Sequence, residues 1–213
     1  MNIISNLKSI KKGIPNNVTL VAVSKTQTNK DILTAYQQGQ RIFGENKVQE
    51  IEKKKKELPS DIQWHMIGHL QTNKVKYIAS FVSLIHSVDS IKLMQEINKR
   101  AGQNNRTIDC LLQVHIGKEN TKFGFNVTKV EDVIKISKEY KNINIKGLMG
   151  MATFTDDTKQ IKKEFKNINK LFKQVKTKTI NTLSIGMSGD YKLAINNGST
   201  MIRVGSAIFG ERK

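Results

Sequence analysis

Val18-Thr-Leu-Val-Ala-Val-Ser-Lys25 is a β-branched, apolar run that passes into Thr26-Gln-Thr28 without a Gly-x-Gly-x-x-Gly sequence behind it. Such a run reads as a strand buried on both faces, and the missing glycines argue against a doubly wound dinucleotide fold. Thr28 followed three residues later by Asp31 then reads as the start of a helix. The same alternation continues to the end of the chain, with candidate strands at 18–25, 41–46, 62–69, 82–87, 108–116, 143–151, 182–188 and 201–209. Between them lie helical patterns such as Ile161, Phe165, Ile168, Phe172 and Val175, one apolar stripe on a segment otherwise covered by lysine. Thr128 with Glu131 reads as another capping box, ahead of Val133, Ile134 and Ile136. Eight such alternations in 213 residues predict an α/β fold, a single (β/α)8 TIM-type barrel. Ile3, Ile4, Leu7 and Ile10 add an extra N-terminal helix, expected to cap the barrel floor. With no linker, repeat or composition shift, one domain over residues 1–213 is expected.

Composition removes several function classes. No apolar run approaches the roughly 18 residues that span a bilayer, and Lys8, Lys11 and Lys12 interrupt the stretch where a signal peptide needs its apolar core. A soluble, cytoplasmic protein without a membrane partner is expected. Cys110 is the only cysteine, which excludes an intramolecular disulfide and a thiolate metal cluster. The net charge of +18 invites a nucleic-acid reading. Against it, the arginines are only Arg41, Arg100, Arg106, Arg203 and Arg212, the lysines are spread along several helices, and no aromatic stacking platform accompanies them. Nucleic acid is therefore not the expected partner. Lys53, Lys54, Lys55 and Lys56, flanked by Glu50, Glu52 and Glu57, read as a solvated helix face.

Barrels of this kind place chemistry at the C-terminal ends of their strands, with a phosphate site frequent after strands seven and eight. Lys25 ends the first strand on the period-two face of Val21 and Val23. It reads either as a strand-end lysine reaching for solvent or as a desolvated amine of lowered pKa, suited to attack an aldehyde. The seventh strand ends in Ile185-Gly-Met-Ser-Gly-Asp190 and the eighth in Arg203-Val-Gly-Ser-Ala-Ile-Phe-Gly210. Ser188, Gly205 and Ser206 suit a phosphate, since glycine lets backbone N–H groups approach an anion and hydroxyls add donors; Gly189 and Gly205 also serve as ordinary turn residues. Arg203, two residues before Gly205, lies deeper in the mouth, as a donor to a ring nitrogen or as a member of a buried ion pair with Glu45 or Asp190. His65 and His69 are four apart, which on a strand is about 13 Å and too far to share a metal. No His-Glu-x-x-His, phosphate-loop or Gly-x-Ser-x-Gly motif is present, so metal, nucleotide and serine-hydrolase chemistry are not expected.

Eight segments in one order carry a family likeness: Val21-Ala-Val-Ser-Lys25, Phe43-Gly-Glu-Asn-Lys-Val-Gln-Glu50, Trp64-His-Met-Ile-Gly-His-Leu-Gln-Thr-Asn-Lys74, His86-Ser-Val-Asp89, Lys122-Phe-Gly124, Gly147-Leu-Met149, Gly186-Met-Ser188 with Asp190, and Arg203-Val-Gly-Ser-Ala-Ile-Phe-Gly210. The chain resembles, nearly end to end, the pyridoxal phosphate homeostasis proteins, a family built like the N-terminal barrel domain of alanine racemases. The resemblance implies pyridoxal 5′-phosphate (PLP) held as an aldimine on Lys25, its phosphate held by Ser188, Gly205 and Ser206, its pyridine ring faced by Arg203, and Asn46 lining the pocket. It implies a carrier or regulator in vitamin B6 and amino-acid homeostasis, with PLP-dependent apoenzymes as recipients. The alternative is a PLP-dependent racemase or lyase acting on a small amino acid; an RNA-binding role carried by the lysines ranks third. Little racemase activity is expected, because Arg203 opposes protonation of the ring and the chain ends at Lys213 without the C-terminal domain from which a racemase draws its second acid–base group. Two features depart from the family pattern: the segment before Val18 is shorter than in many members, and Met151-Ala-Thr153 replaces a proline-containing stretch.

Overall fold

The computed structural model of the chain describes residues 2–117 and 123–210, so Lys122 of the Lys-Phe-Gly motif lies outside the described residues. Among the described residues, β1 (Thr19–Val23), β2 (Ile42–Glu45), β3 (Gln63–Met66), β4 (Leu84–Val88), β5 (Ile108–Gln113), β6 (Ile143–Met149), β7 (Thr182–Ser184) and β8 (Met201–Val204) pair in sequence order, all parallel, and close into a barrel through β1 and β8. Each overlaps its predicted stretch. Seven of the predicted stretches overrun at the C-terminal end, because β-branched and apolar residues there belong to the loops that form the barrel mouth.

The outer layer consists of α1 (Ile3–Gly13), α2 (Asn29–Gln37), α3 (Val48–Glu57), α4 (Val75–Ile78), α5 (Ile91–Gln103), α6 (Val130–Ser137), α7 (Thr158–Val175), α8 (Tyr191–Asn196) and α9 (Ser206–Phe209). On α7 the stripe of Ile161, Phe165, Ile168 and Phe172 is buried against the sheet. Each such side chain contributes about 1.5–3 kcal/mol on burial, enough to seat a helix whose other face is lysine. A separate small cluster of buried apolar residues consists of Val21, Leu84, Leu111, Met149 and Met201.

Three expectations are corrected. Residues 206–209, read as part of the last strand, form α9, since a short apolar run cannot by periodicity distinguish strand from helix. Thr28 caps α2 as expected, accepting from Asp31 N–H, but α6 is entered through a 3₁₀ turn whose cap is Asn126, accepting from Thr128 N–H and Thr128 Oγ1. The predicted N-terminal helix exists and does not cap the floor: α1 lies in the outer layer beside α9 and α2. Asn6 Nδ2 donates to Ile208 O at 3.1 Å and Lys11 Nζ to Gln38 O at 3.2 Å, with Leu7 wholly buried between. α1 thus packs against the one-turn α9 and against α2.

The loop carrying Met151-Ala-Thr153 is fastened by Glu164 of α7, a buried carboxylate that accepts from Thr153 N–H and Thr153 Oγ1, both at 2.7 Å. No helix among the described residues is long and apolar enough to cross a membrane.

Candidate functional site

A cavity of about 700 Å³ opens at the C-terminal ends of the strands, and Lys25, Asn46, Ser188, Arg203, Gly205 and Ser206 all line it. The structure thus brings the six sequence-predicted residues to one place. Lys25 stands two residues beyond β1, half-buried, in the turn that follows the strand. Asn46 directly follows β2, and its backbone packs so closely on Gly68 that a Cβ there would lie 2.5 Å from Asn46 O. Only glycine fits that crossing.

Ser188 and the start of α9 are already joined. Ser188 Oγ accepts from Gly205 N–H at 3.0 Å and Ala207 N–H at 3.3 Å, so the hydroxyl stands where two backbone donors converge. Gly205 lies against Val23, where a Cβ would come within 3.3 Å of both Val23 Cβ and Val23 O. The Ser188 and Ser206 hydroxyls, with Gly205 beside them at adjacent strand ends, form a donor set suited to a phosphate.

Arg203 pairs in register with Val21 and points into the barrel, 4% exposed. Its Nη1 donates to Ser184 O at 2.8 Å and Ser184 Oγ at 2.6 Å, and its Nη2 donates to Gly150 O at 3.0 Å. Glu45 is not its ion-pair partner. Burial lowers the guanidinium to about 10, against the attraction of Asp190, so it remains a cation at neutral pH. The chain of contacts continues across the interior. Ser184 Oγ meets His86 Nδ1 at 3.1 Å, and His86 Nε2 meets His65 Nδ1 at 3.0 Å. Since β7 and β4 are not neighbours in the sheet, this link crosses the barrel interior. Arginine can only donate, so Ser184 Oγ accepts from Arg203, and one proton is shared along each of the two further links to His86 and His65. Both rings are held neutral: burial lowers His65 to about 3, and burial, His65 and Arg203 hold His86 well below its ordinary value.

His65 and His69 are separated as expected, one inside the barrel and one at the mouth. His69 Nδ1 lies 3.0 Å from Asp89 Oδ2, and its ring stacks on Phe123 with centroids 3.7 Å apart. Phe123, Met151, Phe154 and Met187, with Val23 and Ile67, supply the apolar part of the cavity lining. No cluster of three or more metal-ligating side chains occurs among the described residues. Cys110 is buried, and burial pushes its thiol up, which makes it inert.

One reading is overturned. Lys54 does not belong to a solvated face; it is 6% exposed, its Nζ donating to Ser24 O and to Glu45 Oε1, both at 2.8 Å. The signal was present in the spacing, because Val48, Ile51, Lys54 and Leu58 follow steps of three and four. Four consecutive lysines concealed it.

The alanine racemase N-terminal domain family model matches residues 1–213. The pyridoxal phosphate homeostasis protein of Aquifex aeolicus is 38% identical over 202 residues, covering 93% of this chain and 89% of that one. The chain belongs to this family. The corresponding Helicobacter pylori protein (strain 26695) is 41% identical over 197 residues, covering 91% and 88% of the two chains. PipY of Synechococcus elongatus has been solved without PLP and with PLP bound. The two structures superpose on this homeostasis-family barrel with TM-scores of 0.91 and 0.89, at 34% and 33% identity, covering 98% of this chain and all of theirs. Alanine racemase of Bartonella henselae, 16% identical with a TM-score of 0.78, shares the fold over 99% of this chain and 58% of its own.

Proposed function

We propose that the cavity holds PLP through Lys25 and that the chain serves vitamin B6 and amino-acid homeostasis as a carrier or regulator of that cofactor, with PLP-dependent apoenzymes as recipients. Lys25 lines the same cavity as Ser188, Gly205, Ser206 and Arg203, and this juxtaposition carries the proposal. When bound, PLP supplies an aldehyde that condenses with an amine and a ring that can draw electrons from a substrate. The protein supplies the rest. Lys25 provides the amine, Ser188 and Ser206 the hydroxyls and Gly205 the close backbone approach for the phosphate, and Asn46 part of the wall. Arg203 commits three N–H groups to protein oxygens and keeps further donors for a ring nitrogen. A protonated guanidinium there gives that nitrogen no proton, which favours holding the cofactor over using its ring as an electron sink. The relatives' names and the PLP-bound PipY structure support the same reading.

Affinities for PLP and for phosphate-free pyridoxal, measured on wild type, Ser188→Ala and Gly205→Val, test the assignment. The variants should weaken PLP by about tenfold or more, as expected for charge-assisted hydrogen bonds, and leave pyridoxal nearly unchanged. An equal loss for both ligands would remove Ser188 and Gly205 from the phosphate.

A further inference from the structure

We infer that Glu45, Glu50 and Lys54 form a positioning device for Lys25, holding a strained turn that directs the lysine into the cavity; this rests on the reading of Lys25 as the attachment point. Lys25 is the second residue of a four-residue turn closed by Gln27 N–H donating to Ser24 O at 3.0 Å. The third residue, Thr26, has φ +65°. Turns of this shape call for glycine at that place, and a β-branched residue persists there only when its surroundings over-determine it.

The surroundings do so from both sides of Lys25. Ser24 Oγ donates to Glu45 Oε1 at 2.6 Å, and Ser24 O accepts from Lys54 Nζ at 2.8 Å. On the other side, Thr26 N–H donates to Glu50 Oε2 at 3.0 Å. Lys54 joins the two halves, 2.8 Å from Glu45 Oε1 and 3.4 Å from Glu50 Oε2. Glu45 ends β2, while Glu50 and Lys54 are one turn apart on α3, so three side chains from the next βα unit clamp the end of β1. Burial pushes Glu50 up, but Thr26 N–H and Lys54 hold it below the ordinary carboxylate value, so it is charged when it accepts.

A buried ion pair adds little net stability over apolar residues of the same shape. What distinguishes this one is where its bonds end: on Ser24 and Thr26, the residues before and after Lys25. Lys25 is therefore the side chain whose placement the cluster controls.

Pyridoxine 5′-phosphate, an alcohol in place of the aldehyde, separates attachment at Lys25 from phosphate and ring binding. Its affinity and that of PLP are measured on wild type, Glu50→Ala and Glu50→Ala with Thr26→Gly, together with the rate at which borohydride fixes PLP to Lys25. Glu50 is partly exposed, so its removal spares the fold. Glu50→Ala should weaken PLP by about tenfold, as for one charge-assisted hydrogen bond, slow the fixation, and shift pyridoxine 5′-phosphate by less than about twofold. Thr26→Gly, which adopts the positive φ without strain, should restore most of the loss. Equal changes for both ligands, no change for either, or no rescue would overturn the positioning role while leaving Lys25 as the attachment point. Failure of the wild type to bind or fix PLP would overturn the functional reading itself, and this inference with it.

Discussion

Glu45 is wholly buried, and a carboxylate is tolerated there because Lys54 Nζ and Ser24 Oγ both reach its Oε1. Removing one partner of such a pair leaves a charge without compensation. Lys54→Met should therefore cost about 3–5 kcal/mol in urea denaturation, whereas Glu45→Leu combined with Lys54→Met should recover a large part of that loss. Additive costs in the double variant would mean that the two side chains are not coupled. The contrast between Lys25 and Lys54 also shows what a sequence displays. Lys25, Ser188 and Gly205 follow strands and Arg203 lies near the C-terminal end of one, so the barrel rule alone brought them to the mouth. Lys54 sits among three other lysines, and its burial depends on Ser24 and Glu45, which come from other elements. The chain from Arg203 through Ser184 and His86 to His65 joins four strands, and no local pattern in the sequence carries that connection.

α9 is a single turn, and it bears Ser206 and Ala207 beside the candidate phosphate site. α1 packs against it from outside, Asn6 donating to Ile208 O, and Leu7 of α1 is wholly buried. Leu7→Ala should cost about 2–5 kcal/mol, read as a lowered urea midpoint, because the cavity it leaves lies between helices that cannot close over it fully. A change under about 0.5 kcal/mol would contradict the placement of α1 in the outer layer. The existence of α1 was legible from Ile3, Leu7 and Ile10, but its position was not, since an amphipathic stripe does not specify which surface it covers. The long helix α7 was legible in both respects, its stripe being wide and regular. The last strand was overextended because Gly205 both ends β8 and opens α9, and its neighbours Val204, Ala207 and Ile208 suit either structure.

Across the whole molecule, the barrel keeps two histidines neutral at its centre, and this ties its stability to pH. His65 is lowered to about 3 and His86 falls well below its ordinary value, whereas in the unfolded chain both titrate near 6.5. Below that pH the unfolded chain takes up protons that the barrel refuses. The stability contributed by the neutral rings is complete above about pH 7 and is lost as pH falls from 6.5 toward 3, by up to about 1.4 kcal/mol per pH unit for each ring. Urea midpoints measured from pH 7.5 to 4.5 should fall, and His86→Gln should flatten the slope; a wild-type profile that is flat or rises toward acid would contradict the neutral network. The most direct test of function lies at Lys25, which must outcompete the many exposed lysines of a chain with net charge +18. The protein is incubated with one equivalent of PLP, reduced with borohydride, digested and mapped. A pyridoxyl group on the peptide containing residue 25, absent from a Lys25→Ala variant that keeps its far-UV circular dichroism, is the expected result. A pyridoxyl group concentrated on another lysine, or retained in full by Lys25→Ala, would contradict it.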